Sequence, residues 1–242
     1  MKAMTVEGKA VLVTGANRGL GQALVEEALR RGAKRMYAGT RQGLVHPDER
    51  VTPLTLDVTD PAQVQRAAEK VGSLDVLFNN AGVALPAELS DRAVLEQHLA
   101  VLFGTWGVTE AFLPLLTRTG GAVVNVVSVA ALAAVPVLPA CSISKAAAFS
   151  LSQSLRALLA GRGVSVHAVM AGPIDTEMVR DLDIPKTSPE AVARGIFDGV
   201  ERGEEEIFPD PMSETMAESW RMSAAKALER QNAALVAGTL AA

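Results

Sequence analysis

The stretch KAVLVTGANRGLG, residues 9–21, decides the fold because it joins an apolar run to a helical pattern through a glycine-rich turn. The run Lys9–Thr14 is typical of a strand inside a parallel sheet. The glycines at positions 15, 19 and 21 let the backbone turn tightly and approach a phosphate, which a helix N-terminus stabilises. The stretch predicts the first strand–helix unit of a dinucleotide-binding fold; a plain connecting loop is the alternative.

Short apolar runs and helix-length segments alternate along most of the chain, which is the pattern of parallel βαβ units. We therefore predict an α/β fold: a Rossmann-like, doubly wound parallel sheet flanked by helices, in a single domain over residues 1–242. The predicted strands are Lys9–Thr14, Met36–Gly39, Leu54–Leu56, Val76–Phe78, Ala122–Val127, Ser165–Val169 and, as a possible seventh, Glu206–Phe208. The predicted helices are Gly21–Arg31, Pro61–Val71, Arg92–Leu116, Ser142–Leu159, Pro189–Val200 and Ala217–Val236.

Composition excludes several classes of protein. The 23 Lys and Arg against 27 Asp and Glu give a net charge of -4, so no nucleic-acid partner is expected. The longest charge-free stretch, Thr119–Ser144, contains glycines, prolines and an asparagine, so we predict a buried strand and a loop rather than a membrane span. One cysteine and an N-terminus without an apolar signal core indicate a cytoplasmic protein. The three histidines, His46, His98 and His167, lack ligand-like spacing, so we predict no metal site and assign them no role.

The end of the second predicted strand bears on the choice of cofactor. An acidic residue there would bind the ribose diol of NAD, but this chain has Thr40 and Arg41. Arg18, in the glycine-rich turn, is a second cation, and guanidinium groups suit phosphate in both charge and geometry. The sequence therefore predicts NADP(H); a pair of surface arginines without such a role is the alternative.

Two further motifs follow predicted strands. Asp57-Val58 comes after the third strand, and Asn79-Asn80-Ala81-Gly82 comes after the fourth. Ligands bind at the carboxyl ends of strands in open α/β sheets. With these motifs in place, the chain resembles a classical short-chain dehydrogenase/reductase from about Lys9 to Thr176.

The resemblance rests on four sequence motifs of the family that this chain matches. TGxxxGxG matches Thr14–Gly21, NNAG matches Asn79–Gly82, and the adenine-side aspartate corresponds to Asp57. The PGxxxT segment falls on Ala171–Thr176, with Ala171 in place of the first proline. The resemblance implies that these residues bind the cofactor: Gly15, Asn17, Arg18, Gly19, Leu20, Gly21, Arg41, Asp57, Val58, Asn80, Ala81, Gly82, Lys145, Gly172, Ile174 and Thr176.

The same resemblance implies a catalytic set of Ser128, Cys141 and Lys145. In the family, the serine polarises the substrate carbonyl, a tyrosine exchanges the alcohol proton, and the lysine lowers the tyrosine pKa and binds the nicotinamide ribose. An asparagine in the preceding long helix holds a water that connects the lysine to solvent. Hydride passes between the nicotinamide and the substrate carbon.

This chain departs from the family pattern at two positions. The YxxxK tyrosine is Cys141, and the family's Val-Asn-Leu-Phe-Gly run is Ala100–Gly104, which places Val101 at the asparagine. Alternatively, one residue has been deleted and the helix register is shifted. A thiol ends about 3–4 Å short of a phenol oxygen, given bonds of about 1.5 Å. Proton transfer needs heavy atoms roughly 2.6–3.2 Å apart, so ordinary carbonyl reduction should be weak.

Three functions remain open. The first is an NADPH-dependent carbonyl reductase or alcohol dehydrogenase scaffold with impaired ordinary activity. The second is a repurposed site in which Lys145 favours the Cys141 thiolate as nucleophile or acid/base. The third is a dinucleotide-binding protein without turnover.

The remaining predictions concern the substrate, assembly and supporting residues. We expect Thr176–Ser188 to form a lid over the pocket, and its apolar residues, Met178, Val179, Leu182 and Ile184, favour a small apolar carbonyl or alcohol substrate. Helices Arg92–Leu116 and Ser142–Leu159 resemble the pair through which the family dimerises, so we expect a homodimer or homotetramer. Ser142 and Ser144 are predicted to cap their helix, and Glu204–Glu206 to be solvated.

Overall fold

A computed structural model describes residues 4–83, 85, 91–181 and 183–239, with 237–239 described by their backbone alone. Seven parallel strands form one sheet in the order β3-β2-β1-β4-β5-β6-β7. The strands are β1 Ala10–Thr14, β2 Arg35–Thr40, β3 Val51–Thr55, β4 Val76–Asn79, β5 Ala122–Val126, β6 Ser165–Val169 and β7 Glu206–Ile207. The order reverses direction between β1 and β4, and this switch point opens a crevice at the carboxyl ends of the strands.

The helices cover both faces of this sheet. They are α1 Gly19–Arg30, α2 Pro61–Lys70, α3 Arg92–Thr119, α4 Pro139–Ala160, α5 Pro189–Arg202, α6 Pro211–Arg221 and α7 Ala224–Thr239. Asp60 and Ser188 cap α2 and α5 through backbone N–H groups, and each is followed by proline at the first helical position. The predicted fold class, a doubly wound parallel sheet flanked by helices, is confirmed.

The alternation of side chains along β1 divides the core in two. Val11 and Val13 point to the face that α1 and α5 cover, where Leu24 and Ile196 are fully buried. Leu12 points to the opposite face, in the cluster that includes buried residues of α2 and α3. Because successive strand residues face opposite sides, one continuous apolar run serves both layers.

The last predicted helix, Ala217–Val236, is wrong, because the structure has two helices in this region. Asp210 starts α6 early: it forms a capping box with Ser213. Ser223 then begins α7, since its hydroxyl accepts from the N–H of Lys226. The apolar pattern runs through both helices, so it does not reveal the break.

The prediction of a solvated Glu204–Glu206 run is wrong at Glu206, which is buried in β7. Its carboxylate lies 2.8 Å from Nζ of Lys226, which is buried in α7, and 2.8 Å from Arg156 of α4. Lys226 also pairs with Glu205 and Glu229. These ion pairs fix α7 and α4 to the edge of the sheet, since a buried charge is costly unless it is paired.

Helix α3 is long and apolar enough to cross a membrane by length and composition alone. One such helix is weak evidence for a membrane span, because core helices of other proteins meet the same criteria. Here α3 packs against α2, α4 and β4. The stretch Thr119–Ser144 contains β5, a loop and the first turn of α4, in agreement with the predicted strand and loop.

His167 should make stability depend on pH. It is buried in β6, and this burial lowers the pKa of His167 from 6.5 to about 4. The unfolded chain therefore binds a proton at pH values where the folded chain does not, so stability is present above pH 6.5 and is lost as pH falls towards 4. The expected loss is about 3 kcal/mol.

Urea unfolding of the parent and of His167→Gln, from neutral pH downward, measures this effect. The advantage of the parent over the variant should shrink as the pH falls, because only the parent carries the titrating ring. A difference in unfolding free energy that does not change with pH would contradict the prediction.

Candidate functional site

The turn after β1 is joined to the turn after β4 at the switch point. The Thr14 hydroxyl oxygen accepts from the N–H groups of Asn80 and Ala81, both at 3.0 Å, and donates to Phe78 O at 3.3 Å. Asn80 Nδ2 donates back to Thr14 O at 2.9 Å. The predicted glycine-rich and NNAG motifs therefore form one unit, with Gly82 exposed at its rim.

Close approach requires glycine in this unit. Gly15 and Gly19 have φ of +67° and +54°, the left-handed region that favours glycine. A Cβ on Gly21 would lie 2.0 Å from Gly15 O. Arg18 makes no side-chain cap to α1, so the first N–H groups of that helix lack a capping side chain and suit an anionic ligand.

Asn17 and Leu20 differ in their surroundings. Asn17 is exposed in the turn, where its side chain can meet a ligand. Leu20 is buried in the core against which α1 packs, so only its backbone is available to a ligand. The sequence motif does not distinguish the two residues. Their burial does: Asn17 can contact a ligand, whereas Leu20 anchors the turn in the core.

The two predicted phosphate-binding arginines are not equivalent. Both are exposed, but Arg18 is ion-paired with Glu177 at 2.5 Å. Arg41 makes no hydrogen bond or ion pair to any described residue. Thr40 beside it is buried, and its hydroxyl bonds Gln42 O. An anion entering here would find Arg41 free and Arg18 engaged.

The loop after β3 is shaped by its own carboxylate. Asp57 Oδ1 accepts from the N–H and the hydroxyl of Thr59, at 2.9 and 2.7 Å. Helix α3 approaches this loop at Gly104, where a Cβ would lie 2.5 Å from Val58 O. Asp57 and Val58 are thereby held at the carboxyl edge of the sheet.

The segment after β6 reaches the glycine-rich turn. Gly172 N donates to Asp210 at 2.8 Å, and Ile174 forms a β-bridge with Thr187. Thr176 lies against the turn, since a Cβ on Gly19 would be 3.1 Å from its methyl group. Gly172, Ile174 and Thr176 therefore lie on one segment that passes from β6 to the predicted binding turn.

The predicted lid begins where that segment ends. A short 3₁₀ helix covers Glu177–Val179, and Met178 and Ile184 are exposed. Leu182, the fourth apolar residue of the prediction, lies outside the described residues. The lid stays a prediction.

The elements that carry Ser128, Cys141 and Lys145 pack together near the end of β5. Ser128 accepts from Ala130 N at 3.1 Å and donates to Ala171 O at 3.2 Å, and α4 packs on the 3₁₀ turn that it caps. Cys141 and Lys145 lie one turn apart on α4 and are half-buried. Burial lowers the pKa of Lys145, an effect that the charge of Cys141 opposes. Lys145 Nζ donates to Val126 O at 2.9 Å.

The prediction that Ser142 and Ser144 cap α4 is wrong, because the helix begins at Pro139. Ser142 accepts from Val135 N at 3.0 Å and donates to Leu138 O, so it fixes the loop that enters the helix. Ser144 donates to Cys141 O within the helix. The early start places Cys141 inside a regular helical turn.

A small cavity of about 30 Å³ lies beside Lys145. Its lining includes His98, Val101 and Thr105, which follow one another on the same face of α3, and Asn79 at the end of β4. The sequence alone indicates no role for His98. The spacing of His98 to Val101 (i, i+3) and to Thr105 (i, i+7) could have indicated that the three residues share one face of the helix.

Buried amides connect the cavity wall to the sheet. Asn79 Nδ2 donates to Thr109 Oγ1 of α3 and to Asn125 Oδ1 of β5, both at 2.9 Å. Asn125 Nδ2 donates in turn to Ser152 Oγ of α4, also at 2.9 Å. Hydrogen bonds of this kind between buried side chains fix both helices against the strands.

Comparisons with known proteins agree with this geometry. The family described as short chain dehydrogenase matches residues 9–186. Oxidoreductase UcpA of Escherichia coli K12 is 32% identical over 191 residues, covering 72% of this chain and 73% of that protein. A 2-(S)-hydroxypropyl-CoM dehydrogenase of Xanthobacter autotrophicus is 33% identical over 206 residues, covering 78% and 81%.

A solved structure gives a similar match over more of the chain. The crystal structure of a short chain dehydrogenase from Burkholderia cenocepacia, in complex with NADP, superposes with a TM-score of 0.86. Its sequence is 36% identical, and the match covers 94% of this chain and 98% of that one.

Replacement of Gly21 should cost stability. In Gly21→Ala, the new Cβ meets Gly15 O at 2.0 Å, so the backbone has to shift. We expect the free energy of unfolding to fall by about 1–3 kcal/mol, the usual cost of overpacking. Chemical unfolding measures the change.

The matched control is Gly107→Ala, also inside a helix, where a Cβ meets nothing within 4 Å. This variant should be unchanged or more stable by up to about 1 kcal/mol, because alanine favours helix. Equal losses in the two variants would mean that the close approach at Gly21 is unimportant.

Proposed function

We propose a function on one premise: this chain belongs to the short-chain dehydrogenase/reductase family. It is an oxidoreductase, and we propose that it binds NADP(H) and acts between C=O and CH–OH groups of small apolar substrates, as a carbonyl reductase with an altered catalytic set. The observation that carries the proposal is that α4, with Cys141 and Lys145, packs on the turn that Ser128 caps, while Lys145 lines a cavity together with Ala81 and Gly82. We further propose that the chain works in the cytoplasm.

The residues of the turn fit a dinucleotide. A Cβ on Gly15 would lie 3.0 Å from Ala81 Cα, so the two turns leave no space for larger residues at this point. The N-terminus of α1 suits a pyrophosphate. Asn17, Asp57 and Asn80 offer polar groups around the same crevice.

The choice of NADP(H) over NAD(H) rests on charge. Arg41 is exposed and free of described partners, and no acidic side chain follows it at the end of β2. The Burkholderia cenocepacia structure, which matches over nearly its full length, is a complex with NADP. We infer that Arg41 is the main contact for the 2′-phosphate and that Arg18 contributes only when it leaves Glu177.

Ser128 and Lys145 have different roles in the proposed reaction. When bound, NADPH supplies the hydride. Ser128 turns its hydrogen from Ala171 O to the substrate oxygen and polarises the carbonyl. Lys145, held by Val126 O, keeps a positive charge near the developing alkoxide.

Proton transfer to the substrate oxygen is the least efficient step of the proposed reaction. Cys141 stands at the position of the family's tyrosine, and a thiol ends about 3–4 Å short of a phenol oxygen. The proton therefore has to come through water or at a reduced rate. Val101, which we assign to the position of the family's asparagine, presents only methyl groups to the cavity beside Lys145.

One observation favours a second candidate, thiol chemistry at Cys141. Lys145 lies one helical turn away, and the two side chains interact electrostatically. A nearby ammonium stabilises a thiolate, which is the nucleophilic form. Under this alternative the reacting group is the Cys141 thiol, acting as a nucleophile or as an acid/base, rather than a hydroxyl that donates a proton.

Arg41→Ala should weaken NADPH binding by about 10–100-fold, because it removes a charged hydrogen bond to phosphate. NADH binding should stay the same, since NADH lacks the 2′-phosphate. Arg18→Ala is the matched comparison and should have a smaller effect on NADPH, because Glu177 already engages that side chain. Calorimetry on both cofactors decides: equal affinity of the parent for NADPH and NADH would reject the assignment.

Cys141→Tyr should raise NADPH-dependent ketone reduction by about 10²–10⁴-fold, the usual worth of a general acid. Cys141→Phe is the control, because it adds the ring without the hydroxyl and should give no increase. Adding Val101→Asn to this variant should raise the rate of ketone reduction further, by a smaller factor than Cys141→Tyr. Steady-state rates on an aryl or cyclic ketone measure the effect.

The outcome also separates the candidates. If Cys141→Tyr leaves reduction unchanged while an activity or rapid thiol labelling of the parent is lost, the thiol is the working group. If it binds NADPH and still reduces no ketone of a broad panel, the chain is a dinucleotide-binding protein without this turnover.

We also propose self-association into a homodimer or homotetramer. Phe103 and Trp106 of α3 are 67% and 54% exposed, and Leu158 of α4 is exposed as well. Burial of such aromatic side chains is the usual gain at an interface. Light scattering should therefore find more than the 25.3 kDa chain, and Phe103→Asp should weaken the assembly. Met222→Asp, at an exposed position between α6 and α7, is the control; a stable parent monomer would exclude the proposal.

A further inference from the structure

The cavity beside Lys145 has two polar atoms that lack hydrogen-bond partners. These atoms are His98 Nε2 and Asn79 Oδ1, and both residues line the cavity. Among the described residues, only one other buried side-chain polar atom, Thr117 Oγ1, lacks a partner. Buried polar groups are nearly always satisfied, so two exceptions at one small cavity require an explanation.

Both atoms are hydrogen-bond acceptors. His98 Nδ1 lies 2.8 Å from Val94 O, which can only accept, so Nδ1 carries the hydrogen. With the ring hydrogen on Nδ1, the Nε2 atom of the imidazole is an acceptor. Asn79 Nδ2 already donates to Thr109 and Asn125, so Oδ1 is the free acceptor of that amide.

The donors come from Lys145 and from water. An ammonium has three N–H donors, and one of those on Lys145 goes to Val126 O. A buried water needs a cavity of at least about 10–15 Å³ and two to four polar partners. The cavity of about 30 Å³ is large enough.

We propose that this cavity is a water site in which one ordered water accepts from Lys145 and donates to His98 Nε2 and Asn79 Oδ1. The two unpartnered acceptors of the cavity wall are then satisfied by a single molecule. His98 acts as a positioning residue, because its ring holds the water that faces the ammonium.

The side chains of α3 explain why His98 has this role. Val101, one turn along the same face, offers no acceptor, and of the α3 residues that line the cavity only His98 has a buried polar atom without a partner. The water stabilises the charged form of Lys145, which burial disfavours. Of the titratable groups near the ammonium, Cys141 shares its helix and His98 lines the same cavity from α3.

The experiment uses the full chain without cofactor or substrate, so its result is independent of the proposed reductase activity. A high-resolution crystal structure should contain a water bonded to Lys145 Nζ, His98 Nε2 and Asn79 Oδ1. NMR with isotope-labelled histidine should find His98 neutral with its hydrogen on Nδ1. These two measurements need no variant and therefore do not depend on the folding of a mutant.

Variants then test the link to Lys145. In His98→Leu the acceptor is lost, and the protonation equilibrium of Lys145, followed by NMR of labelled lysine, should shift about tenfold towards the neutral amine, the worth of one charged hydrogen bond. His98→Gln places an acceptor at similar reach and should restore the parent value. His167→Gln, which replaces another buried histidine, is the control and should leave Lys145 unchanged.

Three results would overturn the inference. The first is a crystal structure without the bridging water, and the second is a ring hydrogen on Nε2. The third is a Lys145 equilibrium that His98→Leu does not move. Because ketone reduction enters none of these measurements, failure of the reductase proposal and failure of the water site are separate outcomes.

Discussion

The hydrogen bonds of the Thr14 hydroxyl hold together the two turns on which the site depends. Its oxygen accepts from two successive N–H groups after β4 while it donates to Phe78 O. This joins strands that are neighbours in the sheet but more than sixty residues apart in the chain. The turns are then close enough that a Cβ on Gly15 would be in contact with Ala81. The position of the N-terminus of α1 follows from this approach.

A second constraint lies on the other side of the crevice. Asn79 and Asn125, on adjacent strands, hold α3 through Thr109 and α4 through Ser152. Those helices carry His98 and Val101 on one side and Cys141 and Lys145 on the other. The backbone of the proposed catalytic region is therefore fixed by groups other than the proposed catalytic side chains. Apolar or thiol side chains at positions 101 and 141 can stand there without disturbing the fold.

The side chains at positions 101 and 141 limit the chemistry that we propose for the site around Lys145. Cys141 is short, Val101 is apolar, and the ammonium retains one backbone acceptor in Val126 O. In this setting the acceptors of His98 and Asn79 gain importance, because they are the two buried polar atoms of the cavity lining that lack a partner. In the water site that we propose, one water both satisfies these buried acceptors and stabilises the charge of Lys145.

By itself the sequence determined the strands, most helices and the parallel sheet. Apolar runs such as Lys9–Thr14 carry the strand signal locally, and Asp60 and Ser188 mark helix starts through bonds to residues two or three positions away. The glycine-rich turn was equally readable, because close approach demands a residue without a side chain whatever surrounds it. The sequence likewise brought forward Ser128, Cys141 and Lys145, which the fold places in one region.

Only the tertiary structure decided which charges and polar atoms have partners. Arg18 is engaged by Glu177, 159 residues away, whereas Arg41 has no described partner. Glu206 is buried because Lys226 and Arg156 reach it from two helices. His98 matters because the packing of α3 leaves its Nε2 without a partner beside Lys145. Local propensity depends on neighbours along the chain, but hydrogen bonds and ion pairs depend on distances that only the packed chain fixes.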